Sequence, residues 1–433
     1  MRKKSFLPLL GTQLDYRPYA ALPAEPEKLP GPPAVTLYHP GEFRSGDAAR
    51  VNVGDPVKTG QRLALYENQP DFVLSPITGT ISAFSPFVGD FGRKYTAVTI
   101  EATGEEEADP EFSEVSETLD LEKARAFFTY LPGSPDFSQF SDPDCPIHTL
   151  VVSGVDADLL VVTNQHTVRH QPDEIKKGIS VLRQITGVER TVMALPGDII
   201  QNYESVGAEA VGVPPHYPSG APRMVVMAAL GEPVPAGTSL AEAGIVLMTA
   251  EAVAAVGRAV KTGRPPTEKV LTVVDKDGNK RMVLVPLGTP IRHIFHTLGI
   301  EVNDGERIIL GGPMTGSAIY SEDQSVGPGT DALMIQESGD IARTSDYPCI
   351  NCGECIRACP VNIPVNMLVR FLEAGKYEEG EDLYDLDACV ECGLCSFVCV
   401  SRIPIFQYIR LAKYELSRIR AEAAASVEAE EDE

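Results

Sequence analysis

The sequence predicts a multi-domain α/β protein: a small β-sandwich, a Rossmann-like α/β layer, a compact β-grasp-like unit and a helical module near the carboxyl end. Three observations predict it. The chain has 433 residues, enough at roughly 150 residues per domain for about three folded units. Its apolar residues change rhythm along the chain, from short β-rich runs between turns, to strands alternating with helices, to a hairpin followed by a helix. Eight of its nine cysteines crowd between Cys349 and Cys399. Hydrophobic residues at 43% and charged residues at 23% are near the globular average and fit neither disorder nor a fibrous repeat. Lys and Arg number 37 against 61 Asp and Glu, a formal charge of −24, which repels phosphate backbones, so no nucleic-acid partner is expected. No run reaches the roughly 18 apolar residues of a membrane span. The best candidates, Met224 to Leu230 and Gly244 to Ala250, are far shorter, so any membrane contact is expected to pass through a partner.

Residues 1–34 are read as an N-terminal extension. They start like a secretion signal, but Pro8 and Gly11 interrupt the apolar run, which predicts a cytoplasmic chain. A β domain over 35–103 follows from the runs Ala34 to Tyr38, Arg62 to Tyr66 and Ala97 to Ile100, separated by turns at Val53-Gly54-Asp55 and Lys58-Thr59-Gly60. Val53 to Gly60 and Ser75 to Ile81 resemble biotinyl- and lipoyl-type carrier modules, the barrel-sandwich hybrids. Asn68-Gln69-Pro70 stands where those modules carry a modified lysine, so docking rather than covalent carriage is expected. The acidic run Glu105 to Asp109 reads as a solvated linker.

Over 120–264, after a helix at Leu121 to Phe128, the runs His148 to Ser153, Leu159 to Thr163, Arg190 to Leu195 and Met224 to Met227 read as strands. They alternate with helices near Glu174 to Ile185 and Ala250 to Lys261, the pattern of a parallel sheet with helical crossovers. Such a sheet can hold a nucleotide or flavin at the carboxyl ends of its strands, yet no G-x-G-x-x-G or P-loop sequence is present. Over 268–342, Asp277-Gly278 marks a hairpin between Val270 to Val274 and Met282 to Val285, followed by a helix near Pro290 to Leu298. Gly311-Gly-Pro-Met-Thr-Gly316 could approach a phosphate, but reads first as a turn that needs positive φ. Over 346–418, two short helices, Pro364 to Ala374 and Lys376 to Tyr384, split at Gly375 and share the stripe Met367, Leu368, Phe371 and Leu372. Residues 419–433, rich in Ala and Glu, read as a solvated or disordered tail.

The cysteines repeat C-x2-C-x2-C-x3-C twice: Cys349, Cys352, Cys355, Cys359, then Cys389, Cys392, Cys395, Cys399. This is the spacing of bacterial [4Fe-4S] ligation, in which the fourth cysteine of each run serves the other cluster. Two [4Fe-4S] clusters are therefore expected, one on Cys349, Cys352, Cys355 and Cys399, the other on Cys389, Cys392, Cys395 and Cys359. Structural zinc has no use for the third close cysteine in each copy, and disulfides need an oxidising compartment. Pro360 follows the first run while Val400 takes that place in the second, which predicts a looser or shifted second turn. Cys145 is read as an ordinary thiol. Two adjacent clusters suit one-electron relay, with potentials set by burial and hydrogen bonds.

Several phrases run in an order that resembles the C subunit of Rnf-type electron transport complexes, itself a relative of the NADH-binding flavoprotein subunit of respiratory complex I. They are Tyr217-Pro-Ser-Gly-Ala221, Gly231-Glu-Pro-Val-Pro-Ala-Gly237, Leu287-Gly-Thr-Pro290, Gly311-Gly-Pro-Met-Thr-Gly316 and the paired cysteine motifs. The resemblance, over about Val35 to Ile409, implies a β-sandwich, an α/β domain that binds FMN and NADH, a β-grasp domain of the SLBB type and a two-cluster module. It also implies membership of a complex that couples NAD and ferredoxin redox chemistry to ion transport across a membrane. The flavin and nucleotide segments depart from the family. Its Gly-Gly-Ala-Gly-Phe-Pro-Thr loop is replaced by Leu131-Pro-Gly-Ser-Pro-Asp136, whose Pro132 and Pro135 have no N–H to offer a phosphate. Its Gly-Ala-Glu-Cys-Glu-Pro-Tyr stretch is matched by Gly154-Val-Asp-Ala-Asp-Leu-Leu160, whose Asp156 and Asp158 are read as surface carboxylates.

The expectation is an Rnf C-like subunit that relays electrons through two clusters, with a degenerate FMN and NADH site and no catalytic residue of its own. The alternative is a flavin-dependent, NADH-oxidising subunit with a variant site, and a third reading makes the chain a docking scaffold. Partners are expected to be other subunits of a redox complex, membrane subunits among them, with a ferredoxin or flavoprotein as electron donor or acceptor, at the cytoplasmic face of the inner membrane.

Overall fold

Four parallel strands organise the middle of the molecule, in the order Glu209–Val213, Arg190–Pro196, Thr149–Ser153, Ile245–Thr249. The computed structural model describes residues 14–16, 25–42, 50–66, 71–200, 203 and 206–431, with side chains in the last helix to residue 423. The central strand Thr149–Ser153 is buried at every position, as expected of a sheet covered on both faces. On one face Leu150, Val152, Met193, Leu195, Val246 and Met248 pack on the helices Pro172–Thr186 and Ala250–Thr262. Those helices touch where both carry glycine: a Cβ on Gly257 would lie 1.9 Å from the Glu174 carbonyl oxygen. The other face packs Val151, Val192 and Ala194 on Val225, Val226 and Ala229 of the helix Pro222–Leu230.

Two expected strands are absent from this sheet. Met224 to Met227 lies in the Pro222–Leu230 helix, started by Pro222 and stopped by Gly231 at φ 83; the sheet position goes to Ile245–Thr249. Leu159 to Thr163 is a crossing segment with Leu160 at φ 68, and the helix Thr163–His170 begins at its end. Val162 N–H there donates to Thr272 Oγ1 at 3.2 Å, so this apolar run is buried against the neighbouring sheet rather than paired.

The β-rich region forms an antiparallel sheet, Ala34–Pro40, Lys94–Ala102, Gly79–Val88, Pro56–Val57, with the two-stranded pair Arg62–Leu63 and Val73–Leu74 closing a core of Val35, Leu37, Leu63, Ile81, Val98 and Ile100. Asn68 to Pro70, where the missing carrier lysine was placed, lies outside the described residues. The acidic run is tied down: Asp109 N–H donates to the Thr59 carbonyl at 2.9 Å, and Lys58 pairs with Glu107.

A mixed six-stranded sheet follows, ordered Ser317–Ile319, Arg307–Leu310, Ala332–Gln336, Glu268–Val274, Lys280–Pro286, Glu27–Lys28. The hairpin turns through Gly278 at φ 78, and the helix Ile291–Leu298 buries Ile291, Ile294 and Phe295 on the sheet. The N-terminal segment is stitched into the body: Glu27–Lys28 pairs with Lys280–Pro286, and Leu14–Asp15 with His216–Tyr217.

The cysteine-bearing module holds helices Val365–Glu373 and Tyr377–Tyr384, and the final helix runs Ile405–Glu431. The tail, expected to be solvated or disordered, continues that helix as far as Glu431, consistent with the high helix propensity of Ala and Glu. Among the described residues no helix is long and apolar enough to cross a membrane.

Candidate iron–sulfur centre

Each cysteine run coils through the same backbone path. Asn351 and Gly353 take positive φ of 61 and 74, and the equivalent Glu391 and Gly393 take 54 and 71. One helical turn follows in each, Glu354–Ala358 and Leu394–Val398. Each run then turns again at a left-handed residue, Asn362 or Arg402, before an Ile-Pro step. There Val365 N–H donates to Ile363 O and Ile405 N–H to Ile403 O, both at 2.8 Å. The second turn is neither loosened nor shifted by Val400, because Pro364 and Pro404 occupy the same place in both copies and the cysteine before each exit is extended, at φ −72 and −64.

Cys349, Cys352, Cys355 and Cys399 line one cavity, with Ile350, Val369, Val400 and Ile405 as its apolar wall. Cys359 lies with the second run, close enough to Cys389 and Cys392 for its charge to raise both thiols. Burial pushes the Cys355 thiol up to about 11, and the charges of Cys349 and Cys352 push the same way. Burial likewise raises Cys392 to about 12, with Cys389 and Cys359 adding to it. Four crowded, half-desolvated thiolates need positive charge among them, which is the chemistry of a donor set for metal. Among the described residues no three His, Cys, Asp or Glu converge as a single ion requires. One tetrahedral ion needs every sulfur within about 2.3 Å of one point, whereas a four-iron core gives each thiolate its own iron.

The surroundings of the two runs differ. Cys352 is exposed whereas its counterpart Cys392 is 8% exposed, while Cys355 and Cys395 are buried alike. Tyr217 Oη donates to the Cys392 carbonyl at 2.6 Å, and Lys413 Nζ to the Cys389 carbonyl at 2.8 Å and to Glu391 Oε1 at 2.9 Å. Arg410, on the same helix as Lys413, donates to Ser317 and Asp90, and Phe91 stacks on Tyr414 at 4.9 Å. These contacts fasten the module to the antiparallel and mixed sheets. Cys145, half-buried, stands apart from both runs.

The parallel sheet reverses its winding between Thr149–Ser153 and Ile245–Thr249, and the crevice outside the carboxyl ends of such strands is where α/β sheets bind nucleotides. Here the chain's own groups cap the helix N-termini at the switch point, and open space remains beside it at the ends of the strands Arg190–Pro196 and Glu209–Val213. Asp156 is 1% exposed, and its carboxylate accepts from Asn164 N at 2.8 Å and Gln165 Nε2 at 2.9 Å, capping the helix Thr163–His170. The helix Ala250–Thr262 is capped by Thr249 Oγ1, which accepts from Ala252 N at 3.1 Å. Asn164 Oδ1 accepts from Glu251 N at 3.3 Å. The altered loop packs on the N-terminus of Ala250–Thr262: a Cβ on Gly133 would lie 2.5 Å from Ala252 N, and Gly133 N–H donates to Pro328 O at 2.9 Å. Behind it lies the fully buried Lys269, paired with Glu251 and 3.5 Å from Asp331. Burial raises Asp156 to about 6 and Glu251 to about 7. A neighbouring cavity of about 320 Å³ presents Asp156, Asp198 and three prolines, a poor match for a phosphate.

Asp156 and Asp158 are therefore not surface carboxylates. Asp158 is 4% exposed and accepts from Thr315 N and Thr315 Oγ1, both at 2.7 Å, so the Gly311–Gly316 loop holds a carboxylate of this chain. Asn164 carries no sequence motif, whereas Thr315 lies in the Gly311-Gly-Pro-Met-Thr-Gly316 phrase; for the acids themselves the signal was that one survives at both matched positions.

The fold and the cysteine runs define an iron–sulfur protein of mixed α/β build. The 4Fe-4S dicluster domain family matches residues 348–403. The Nuo51 FMN-binding domain family matches residues 136–258, starting at the end of the altered loop. More particularly, the chain is similar over most of its length to C subunits of ion-translocating oxidoreductase complexes. It is 28% identical to the C subunit of the ion-translocating oxidoreductase complex of Pseudomonas aeruginosa, over 77% of this chain and 46% of that one. It is 27% identical to the C subunit of the proton-translocating ferredoxin:NAD(+) oxidoreductase complex of Clostridium ljungdahlii, over 84% of each. The chain thus spans about half the length of some relatives and most of others. An NAD+-reducing [NiFe]-hydrogenase in its H2-reduced state aligns at a TM-score of 0.40 with 14% identity, over 73% of this chain and 67% of that one.

Proposed function

We propose that this chain carries electrons within a multi-subunit redox complex through two [4Fe-4S] clusters, one on Cys349, Cys352, Cys355 and Cys399 and the other on Cys359, Cys389, Cys392 and Cys395. The observation that carries this reading is the cavity shared by three closely spaced thiols and Cys399 from the other run. Bound clusters of this kind take up and release single electrons at potentials that span about −700 to +450 mV. The chain's own part is to supply thiolates, exclude water with the buried Val369 and Ile405, and aim N–H groups at sulfur, as Glu391 N does to Cys389 Sγ at 3.4 Å.

Flavin does not fit the strand-end crevice, because its two helix N-termini are capped internally and Gly133 is packed on Ala252. The chain is accordingly read as a relay that receives electrons from another protein. We divide it into an antiparallel barrel-sandwich-like region over 35–103, an α/β region over 120–264, an SLBB-like β-grasp region over 268–342 and the cluster module over 346–418. We place it at the cytoplasmic face of the membrane, held by partner subunits.

The test is iron, sulfide and flavin content of the anaerobically purified chain, with its visible spectrum before and after NADH. About eight irons, no flavin and no bleaching by NADH are expected. One FMN per chain with NADH-dependent bleaching would overturn the relay in favour of an NADH-oxidising enzyme.

A further inference from the structure

The second cysteine turn is seated in a socket that the first lacks, and one buried carboxylate holds the socket together. Asp158 accepts from Leu159 N at 2.6 Å, Thr315 N and Thr315 Oγ1 at 2.7 Å and Met314 N at 3.1 Å. Burial pushes this carboxyl above its ordinary range, while the hydrogen bonds from Thr315, Leu159 and Met314 act the other way and favour the carboxylate. The fit is close: a Cβ on Gly312 would lie 2.4 Å from Asp158 Cγ. On the other side of the same loop, the Met314 carbonyl oxygen would lie 2.6 Å from a Cβ on Gly393, the residue after Cys392. Leu159, Met314 and Tyr217 pack with Cys392 and Leu394 in one apolar cluster, and Tyr217 Oη holds the Cys392 carbonyl. Around the first turn, a Cβ on Gly353 would meet only the Arg357 guanidinium, at 3.3 Å.

We propose that Asp158 is a positioning residue for the second cluster: by gripping the Gly311–Gly316 loop it holds the Met314 carbonyl against the Cys392–Gly393 turn, and so sets that cluster's geometry and potential. This rests on the cysteine assignment above. The physical basis is twofold. The groups around a cluster tune it as strongly as its ligands do. A buried negative charge nearby also opposes the addition of an electron, since charges act over longer range where water is excluded.

The test is a redox titration of the full, anaerobically reconstituted chain, followed by electron paramagnetic resonance, for wild type, Asp158→Ala and Asp158→Asn. Cys352→Ala and Cys392→Ala assign the two signals. Asp158→Ala is expected to change the line shape and midpoint of the second cluster alone. Asp158→Asn, whose amide oxygen can still accept from Thr315 N while its NH2 faces the Leu159 N–H, is expected to recover the line shape in part while moving the midpoint to a more positive value, because the charge is gone. The proposal is overturned if the second cluster's line shape and midpoint are unmoved in both variants, or if both clusters shift alike, which is the mark of a general folding role. Retention of both signals in Cys392→Ala would instead remove the cysteine assignment, and the proposal with it. Should Asp158→Ala fail to fold, the midpoint of Asp158→Asn decides alone.

Discussion

The two cysteine turns share spacing, left-handed positions and an Ile-Pro exit, yet one faces outward and the other is built into the body. Around the first, Tyr347, Ile350 and Val400 are 73%, 65% and 54% exposed. Around the second, Cys392, Gly393, Leu394 and Cys395 are all buried, against Tyr217 and Met314. The difference teaches that ligand geometry is a local property while cluster environment is not. Two sites with the same donors can differ in water access, hydrogen bonding and nearby charge, the quantities that set potential.

The strongest way to break the comparison is to remove a ligand from each turn. Cys352→Ala and Cys392→Ala should each lose about four of about eight irons, measured by iron and sulfide analysis. The Cys392 variant should show the larger fall in melting temperature, because its turn also joins the module to the body. Equal falls would mean that the socket adds no stability.

Next in size is a pH effect in the Gly154–Leu160 stretch, whose Leu159 packs with Cys392. Burial raises Asp156 to about 6 in the folded chain, so the folded state holds a proton that the unfolded state has released. The contribution of this group to stability is therefore fully present below about pH 4 and is lost as pH rises through about 6, on the order of 3 kcal/mol over the window. Urea unfolding at a series of pH values should show this decline in wild type relative to Asp156→Asn. A constant difference between the two proteins across pH 4 to 7 would refute it.

A finer test compares the glycines. Alanine at either Gly353 or Gly393 must adopt positive φ, at a cost of about 1 kcal/mol. At Gly393 it also meets the Met314 carbonyl oxygen, so Gly393→Ala should destabilise more and disturb the second cluster's spectrum, whereas Gly353→Ala should only lower stability. The smallest effect is expected at the exposed pair Glu354 and Arg357, 2.6 Å apart. Arg357 also donates to the Cys352 carbonyl at 2.9 Å, so Arg357→Ala should cost about 1 kcal/mol in thermal unfolding and perturb the first cluster's spectrum alone.

Much of the cysteine module was legible because its determinants are close in sequence. Cysteine spacing, the split at Gly375 and the Met367 to Leu372 stripe are all local patterns, and the helices Val365–Glu373 and Tyr377–Tyr384 follow from them. The hairpin around Gly278 was legible for the same reason. Met224 to Met227 was not, since four apolar residues suit a strand or a buried helix equally, and Pro222 with Gly231 decided for the helix.

The crevice shows the limit of sequence more sharply. Asp156 and Asp158 looked like ordinary surface acids, yet one caps a helix and the other grips Thr315, which lies 157 residues away. By itself the sequence determined the spacing of thiols, the turns that carry them and the alternation that builds a parallel sheet, because these depend on residues within a few positions of each other. Only the tertiary structure decided that the helix N-termini at the switch point are capped by the chain's own groups, and that one of two like turns is sheltered. Those outcomes depend on donors and carbonyls brought together from distant segments, and a buried carboxylate is tolerated only where such donors converge.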